Sequence, residues 1–311
     1  MRKGLNYALS IALVCAMAFI LPGCDSGSSL ANRSSGNDSG VRKTATSVLA
    51  PEASGETVYE DKDATIDASN TSDGYVMIKY SGKSSKIKIQ ITGPDETIYT
   101  YTSHAGEYET FPLTVGSGAY RIDVLENISD DLYFLSQSQT IDVNIENEFA
   151  PFLYPNQYIW YVADSKAVEL GRQLSDQSES DLDYVSVVYD YVISNITYDN
   201  DKAANVPIDY IPDIDETLTT GKGICFDYAS LMSAILRSQN IPTKLVVGYS
   251  GPAYHAWISV WLEETGWVDN IIEFDGTNWS IMDPTLGAGN GKEAVKEYVG
   301  DGTNYTAKYH Y

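Results

Sequence analysis

Only three cysteines and three histidines occur in this 311-residue chain. So few thiols, spread so far apart, exclude a disulfide framework as the device that holds the fold together. They also fall short of a zinc site, which needs about four converging nitrogen and sulfur ligands. Basic residues are scarce as well. Lys and Arg number 20 against 43 Asp and Glu, for a formal net charge of −23. That balance argues against nucleic acid or anionic lipid as a partner of the folded part and favours solubility. No apolar run reaches the roughly 20 residues that a membrane-spanning helix requires. Calcium-loop signatures are missing too: Asp199-Asn200-Asp201 and Asp213-Ile214-Asp215 have neither the glycine nor the terminal glutamate, and read as solvated acidic segments. No cofactor and no metal is expected.

What is present begins with a leader. Arg2 and Lys3, an apolar stretch from Tyr7 to Ile20 and a small-residue processing site read as an export signal. Leu21-Pro22-Gly23-Cys24 resembles the bacterial lipoprotein lipobox. The resemblance implies cleavage before Cys24 and lipid on its sulfur, hence a chain anchored to a membrane of the bacterial envelope, outside the cytoplasm. The Ser/Gly/Asn-rich stretch that follows is too polar for a core and reads as a spacer. The expected organisation is a signal peptide over 1–23, a tether over 24–50, a β-sandwich over 51–149 and a second domain over 150–311.

From about Glu56 to Asn147 the pattern alternates every two residues. Ile87, Ile89 and Ile91 alternate with lysine and glutamine, and Tyr75, Met77 and Lys79 with Val76, Ile78 and Tyr80. Gly93-Pro94-Asp95, Gly116-Ser117-Gly118 and Ser129-Asp130-Asp131 mark turns. Short alternating strands between turns predict a sandwich. Its histidine, His104, reads as a loop residue rather than a ligand. Beyond Pro151 and Pro155 the period changes. Ala163 to Leu174, Leu182 to Ile193 and Phe226 to Arg237 read as helices, with Asn200 to Thr220 as a long surface loop. Strands are expected at Lys244–Tyr249, His255–Leu262 and Trp279–Asp283. Helices backed by consecutive strands, without a repeating βαβ unit, predict α+β.

With Cys15 in the leader and Cys24 taken by lipid, Cys225 is the thiol left for chemistry. It sits where a helix is expected to begin. There the helix dipole and free N–H groups favour a thiolate and can donate to an oxyanion. A structural cysteine in an ordinary loop is the competing explanation. His255 opens His255-Ala256-Trp257-Ile258-Ser259-Val260-Trp261, where Ala256, Ile258, Val260 and Leu262 form the apolar side of a strand. The histidine lies on the other side, suited to a base facing a cleft. Asp283, before Pro284 and Thr285, can orient the imidazole as a third member. Asp269 and Asp275 are rivals for that role. Tyr198, Tyr228 and Tyr254 are candidate side-chain donors to an oxyanion.

Gly221-Lys222-Gly223-Ile224-Cys225 with Ala229 and Leu231, Leu236-Arg237, Ile241-Pro242-Thr243-Lys244, Val247-Gly248, His255-Ala256-Trp257 and Asp283-Pro284-Thr285 together resemble the bacterial transglutaminase-like superfamily. The resemblance covers roughly Val187 to Leu286. It implies a papain-like α+β core, with Cys225 as nucleophile, His255 as general base and acid, and Asp283 as orienting carboxylate. The implied substrate is a protein or peptide amide, which could be associated with the cell wall. A thioester on Cys225 would be resolved by an amine or by water. Animal relatives that need calcium do not extend that need to this sequence. A cysteine peptidase or deamidase of the same fold is the near alternative, although papain-type enzymes generally use asparagine as third member. A surface binding or cell-wall scaffold without turnover is the distant one.

Overall fold

The computed structural model describes residues 42–269 and 305–311, with the backbone of short strands at Glu273–Phe274 and Trp279–Ser280. Gly40–Tyr311 forms one compact unit. Its first part is all strand: β1 (Val58–Glu60), β2 (Ala64–Asp67), β3 (Tyr75–Tyr80), β4 (Ile87–Thr92), β5 (Ile98–Ser103), β6 (Tyr108–Pro112), β7 (Gly118–Ser129) and β8 (Leu132–Val143). They pair antiparallel in two four-stranded sheets, ordered β1-β2-β3-β6 and β5-β4-β7-β8.

The two-residue alternation is realised in β4, where Ile87, Ile89 and Ile91 are buried and Lys88 and Gln90 only partly so. Each fully buried isoleucine contributes about 1.5–3 kcal/mol by leaving water. On β3 the alternation fails, because Tyr75 and Met77 are buried as well as Val76, Ile78 and Tyr80. The second face is covered by chain beyond the sheets: the Tyr154 ring lies 4.9 Å from that of Tyr75. His104 is exposed in the β5–β6 connection, its Nδ1 at 3.2 Å from Glu109.

The second part contains α1 (Lys166–Ser175), α2 (Asp181–Asn195), β9 (Thr197–Tyr198), α3 (Asn200–Asn205), α4 (Ile214–Thr220), β10 (Lys222–Gly223), α5 (Cys225–Ser238), β11 (Thr243–Ser250), β12 (Ala253–Leu262), β13 (Gly266–Val268), β14 (Glu273–Phe274), β15 (Trp279–Ser280) and β16 (Tyr305–His310). The expected loop over Asn200–Thr220 therefore carries two short helices. Both acidic segments cap them: Asp199 accepts from the Lys202 N–H at 2.9 Å, and Asp213 from the Glu216 N–H at 2.9 Å. A carboxylate at this position satisfies a donor that has no partner inside the helix.

An antiparallel sheet ordered β13-β12-β11-β16 backs α5. Its edge strand, β16, comes from the C-terminal end of the described chain and was not expected from the sequence. The remaining hairpin pairs β14 with β15. Every residue of α5 from Asp227 to Ser238 is buried, not one face only. Arg237 closes its far end. The guanidinium donates to the carbonyls of Thr243 (2.9 and 2.6 Å), Tyr154 (2.8 Å) and Tyr311 (2.7 Å). Burial pulls its pKa down to about 10, so it stays charged near neutrality. The architecture is α+β, with a strand-rich region preceding a helix-on-sheet core.

Candidate active site

The thiol is positioned by the chain on either side of it. Before it, Lys222 and Gly223 pair in parallel with Thr197 and Tyr198. The Asp199 N–H donates to the Gly223 carbonyl at 2.9 Å. Ile224 is extended at the start of α5, with φ −99° and ψ 176°. Cys225 is thus the first helical residue and a free, half-buried cysteine. The N–H groups of a first turn lack intrahelical partners and point at whatever sits before the helix.

Asp227, two residues on, is completely buried. Its carboxylate accepts the Ile224 N–H at 2.8 Å and the Tyr210 hydroxyl, and pairs with Lys202 Nζ at 2.8 Å. One buried carboxylate therefore ties the residue before the thiol to Lys202 of α3 and to Tyr210 in the segment after it. Gly223 makes room for it: a Cβ there would lie 2.7 Å from Asp227 Cβ. Sequence reading overlooked Asp227, Lys202 and Tyr210. An acidic residue at the third helical position was a legible signal for the first, since that side chain commonly reaches back to the cap N–H. Lys202 and Tyr210 had no comparable signal.

His255 is the third residue of β12 and lies opposite Gly248 of β11. Its ring is 6.3 Å from that of Trp257 and 6.5 Å from that of Tyr305. The apolar side of β12 is buried as expected, but Trp257 and Ser259 on the other side are buried too. Gly248 must be bare, because a Cβ would meet Thr306 O at 2.1 Å and Trp257 at 2.9 Å.

Cys225 and His255 line one cleft of about 590 Å³. The structure thus brings the first two predicted residues to one cavity. Asp283, with the rival Asp275, lies outside the described residues. Asp269 is described, and it accepts from Ser259 Oγ at 2.8 Å. Ser259 is four residues beyond His255 on the same strand, a separation of roughly 13 Å at about 3.4 Å per residue. Asp269 therefore serves that end of β12. Among the tyrosines, Tyr228 is buried and its hydroxyl donates to the Ile196 carbonyl at 2.6 Å. Tyr254 lines the cleft. Burial, then the neighbouring Tyr309 and Tyr249, raises its pKa, so it keeps its proton as a donor. Tyr210 lines the cleft as well; burial, and then its bond to Asp227, push its pKa up. Tyr198, in β9, is absent from the described cleft lining.

The Transglutaminase-like superfamily profile matches residues 168–270, which carry the thiol, the helix behind it and the histidine strand. The match covers about a third of the chain and shows that this part, whose core is α+β, is similar to that superfamily. Members of that superfamily are typically cysteine enzymes, transglutaminases or proteases.

Similar proteins include the uncharacterized protein YebA of Bacillus subtilis (strain 168), 24% identical over 208 residues, covering 58% of this chain. A protein-glutamine gamma-glutamyltransferase of Pseudomonas aeruginosa is 36% identical over 63 residues, or 16% of this chain. The matches span only 26% and 9% of those two relatives. The crystal structure of the periplasmic domain of TgpA from Pseudomonas aeruginosa aligns with a TM-score of 0.33 at 16% identity, covering 76% of this chain and 100% of that one.

Proposed function

We propose that the chain is a thiol acyl enzyme acting on protein or peptide amides through Cys225, His255 and Asp283. The observation that carries this is the shared cleft: a free cysteine on the first turn of α5 and a strand histidine on one cavity wall. His255 takes the thiol proton as sulfur attacks the amide carbonyl. The oxyanion is stabilised by N–H groups of the first turn of α5, with the Tyr254 hydroxyl as a further donor. As the C–N bond breaks, the imidazolium gives its proton to the departing nitrogen, leaving a thioester. A primary amine, or water, then attacks that carbonyl and passes a proton to His255. The Cys225 thiolate is expelled and takes that proton back from the imidazolium. Asp283 holds the imidazole in the useful tautomer.

Transfer to an amine is preferred over hydrolysis, since aromatic and aliphatic lining favours an organic acceptor over water. The name of the Pseudomonas relative supports a glutamine side chain as donor. The reading includes attachment to the bacterial envelope through lipid on Cys24. A lipid mass adduct that persists in Cys24→Ser would remove that part. The central test incubates the full chain with a labelled amine and a glutamine-bearing protein. Label incorporated by the wild type and lost in Cys225→Ala is the expected result. Ammonia or new peptide ends without label would make it a hydrolase, and no turnover by wild type or variant would leave an inert binding module.

A further inference from the structure

The cleft is unusual for this chain in one respect. Among the described residues that line it, none is Asp, Glu, Lys or Arg, in a protein of formal net charge −23. A second cavity, of about 480 Å³, has Glu109, Asp213 and Asp215 in its wall. Acidic side chains thus line the second cavity and are absent from the described lining of the one that holds the thiol.

The wall around Cys225 is aromatic and aliphatic instead, with Tyr158, Phe226, Tyr309 and Tyr311 among its members. Its exposed apolar side chains include Val206, Ile208 and Tyr254, with Ile208 fully so. Large aliphatic groups left in water beside the Cys225 thiol are a surface that a partner can cover. Their segment is held in place, because Tyr210 donates to the buried Asp227 and Lys202 pairs with the same carboxylate. The strand-rich region also reaches this cavity. Thr100 of β5 is exposed and lines it, while its neighbours Tyr99 and Tyr101 pack edge-on against Tyr311 at 5.6 and 5.8 Å. A charged side chain bound against this described lining would lose hydration without finding an opposite charge in it, whereas an apolar one would gain burial on both sides.

We propose that this cleft selects acyl donors whose side chain next to the reacting amide is uncharged and aromatic or branched aliphatic, and that Thr100 of the strand-rich region and Ile208 of the helical region both face that side chain. The proposal rests on Cys225 being the nucleophile. It makes the strand-rich region part of the enzyme's specificity rather than a separate adhesive module.

The test uses blocked peptides of the form X-Gln-Gly, with X as Phe, Leu, Glu or Lys, on the full chain. Two readouts are taken: transfer to a fluorescent primary amine, and protection of Cys225 from iodoacetamide, which needs no turnover. The Phe and Leu peptides should exceed the Glu and Lys peptides by about tenfold or more in kcat/KM and in protection. Thr100→Glu and Ile208→Lys change exposed positions and should swap the charge preference. The first should improve the Lys peptide, the second the Glu peptide, and each should weaken the Phe peptide through KM. Equal performance of the four peptides, or an unchanged ranking in both variants, overturns the inference. Turnover that survives in Cys225→Ala overturns instead the nucleophile assignment beneath it.

Discussion

The two regions of this molecule solve burial differently. In the strand-rich part most strands cover one face, so β4 keeps isoleucine inside and lysine and glutamine at the edge of solvent. In the second part a single helix is enclosed on all sides. From Asp227 to Ser238 nothing of α5 reaches water, yet five of those twelve residues are Asp227, Ser230, Ser233, Arg237 and Ser238. Four of these five side chains are hydrogen-bonded, while the buried Ser233 hydroxyl has no partner among the described residues. Asp227 takes three donors at one end, Arg237 supplies three carbonyls at the other, and the Ser230 hydroxyl donates to the Tyr158 carbonyl. Apolar burial is forgiving in detail, whereas a buried charge is tolerated only with its partners in place. The region that carries chemistry is the one whose helix buries Asp227 and Arg237, each held by several partners, and it should be the more brittle of the two.

Substitution can break this contrast. Arg237→Met should have the largest effect, because it leaves the carbonyls of Thr243, Tyr154 and Tyr311 without their buried donor. A loss of about 3 kcal/mol or more is expected in urea unfolding. A change under about 0.5 kcal/mol would show that the buried charge contributes nothing. Gly248→Ala comes next. The new Cβ would meet Thr306 O and the Trp257 ring, pushing β16 off β11 opposite His255. The expected cost is about 1–3 kcal/mol, together with loss of Cys225-dependent turnover, read by thermal unfolding and amine incorporation on the same preparation. Unchanged turnover would mean that the histidine strand does not depend on its edge partner.

The smallest change carries the opposite sign. Tyr101 is buried in the strand-rich region, and its hydroxyl has no hydrogen-bond partner among the described residues. Burial raises its pKa well above the usual phenolic value. Tyr101→Phe removes that unpaired oxygen while keeping the ring against Phe111 at 5.0 Å. It should leave stability unchanged or raise it by up to about 1 kcal/mol. Destabilisation in thermal melts would indicate that the hydroxyl does have a partner, and that polar pairing matters in this region too.

Legibility followed the same division. Strands and turns over Glu56–Asn147 could be read because a half-buried strand repeats every two residues, and the three marked turns fall between strands as expected. Helices α1, α2 and α5 begin and end within about three residues of the expected limits. Helix α5 was nevertheless underestimated. A helix buried all round has no solvent face, so an apolar stripe at helical spacing understates its contact surface. Helices α3 and α4 were hidden because each is short and opens on aspartates that read equally well as solvated loop. β16 was missed because Tyr305–His310 is mostly polar or exposed, and its place depends on pairing with a strand some 60 positions earlier. In the site, Cys225 and His255 stood out by residue type and order. Tyr210 and Lys202 did not, since what makes them matter is a carboxylate that only the folded chain brings to them.

The sequence by itself determined which side chains are chemically capable: one thiol at the head of a helix, and a histidine on a strand that follows it. Local periodicity and local caps need no knowledge of distant chain, and they were enough for that much. Tertiary structure alone decided that the two meet at one cavity, that its described lining is uncharged, and that a strand from the first region forms part of its wall. Those properties arise from contacts between segments far apart along the chain. No local pattern encodes them, because the free energy that selects them appears only when the segments pack.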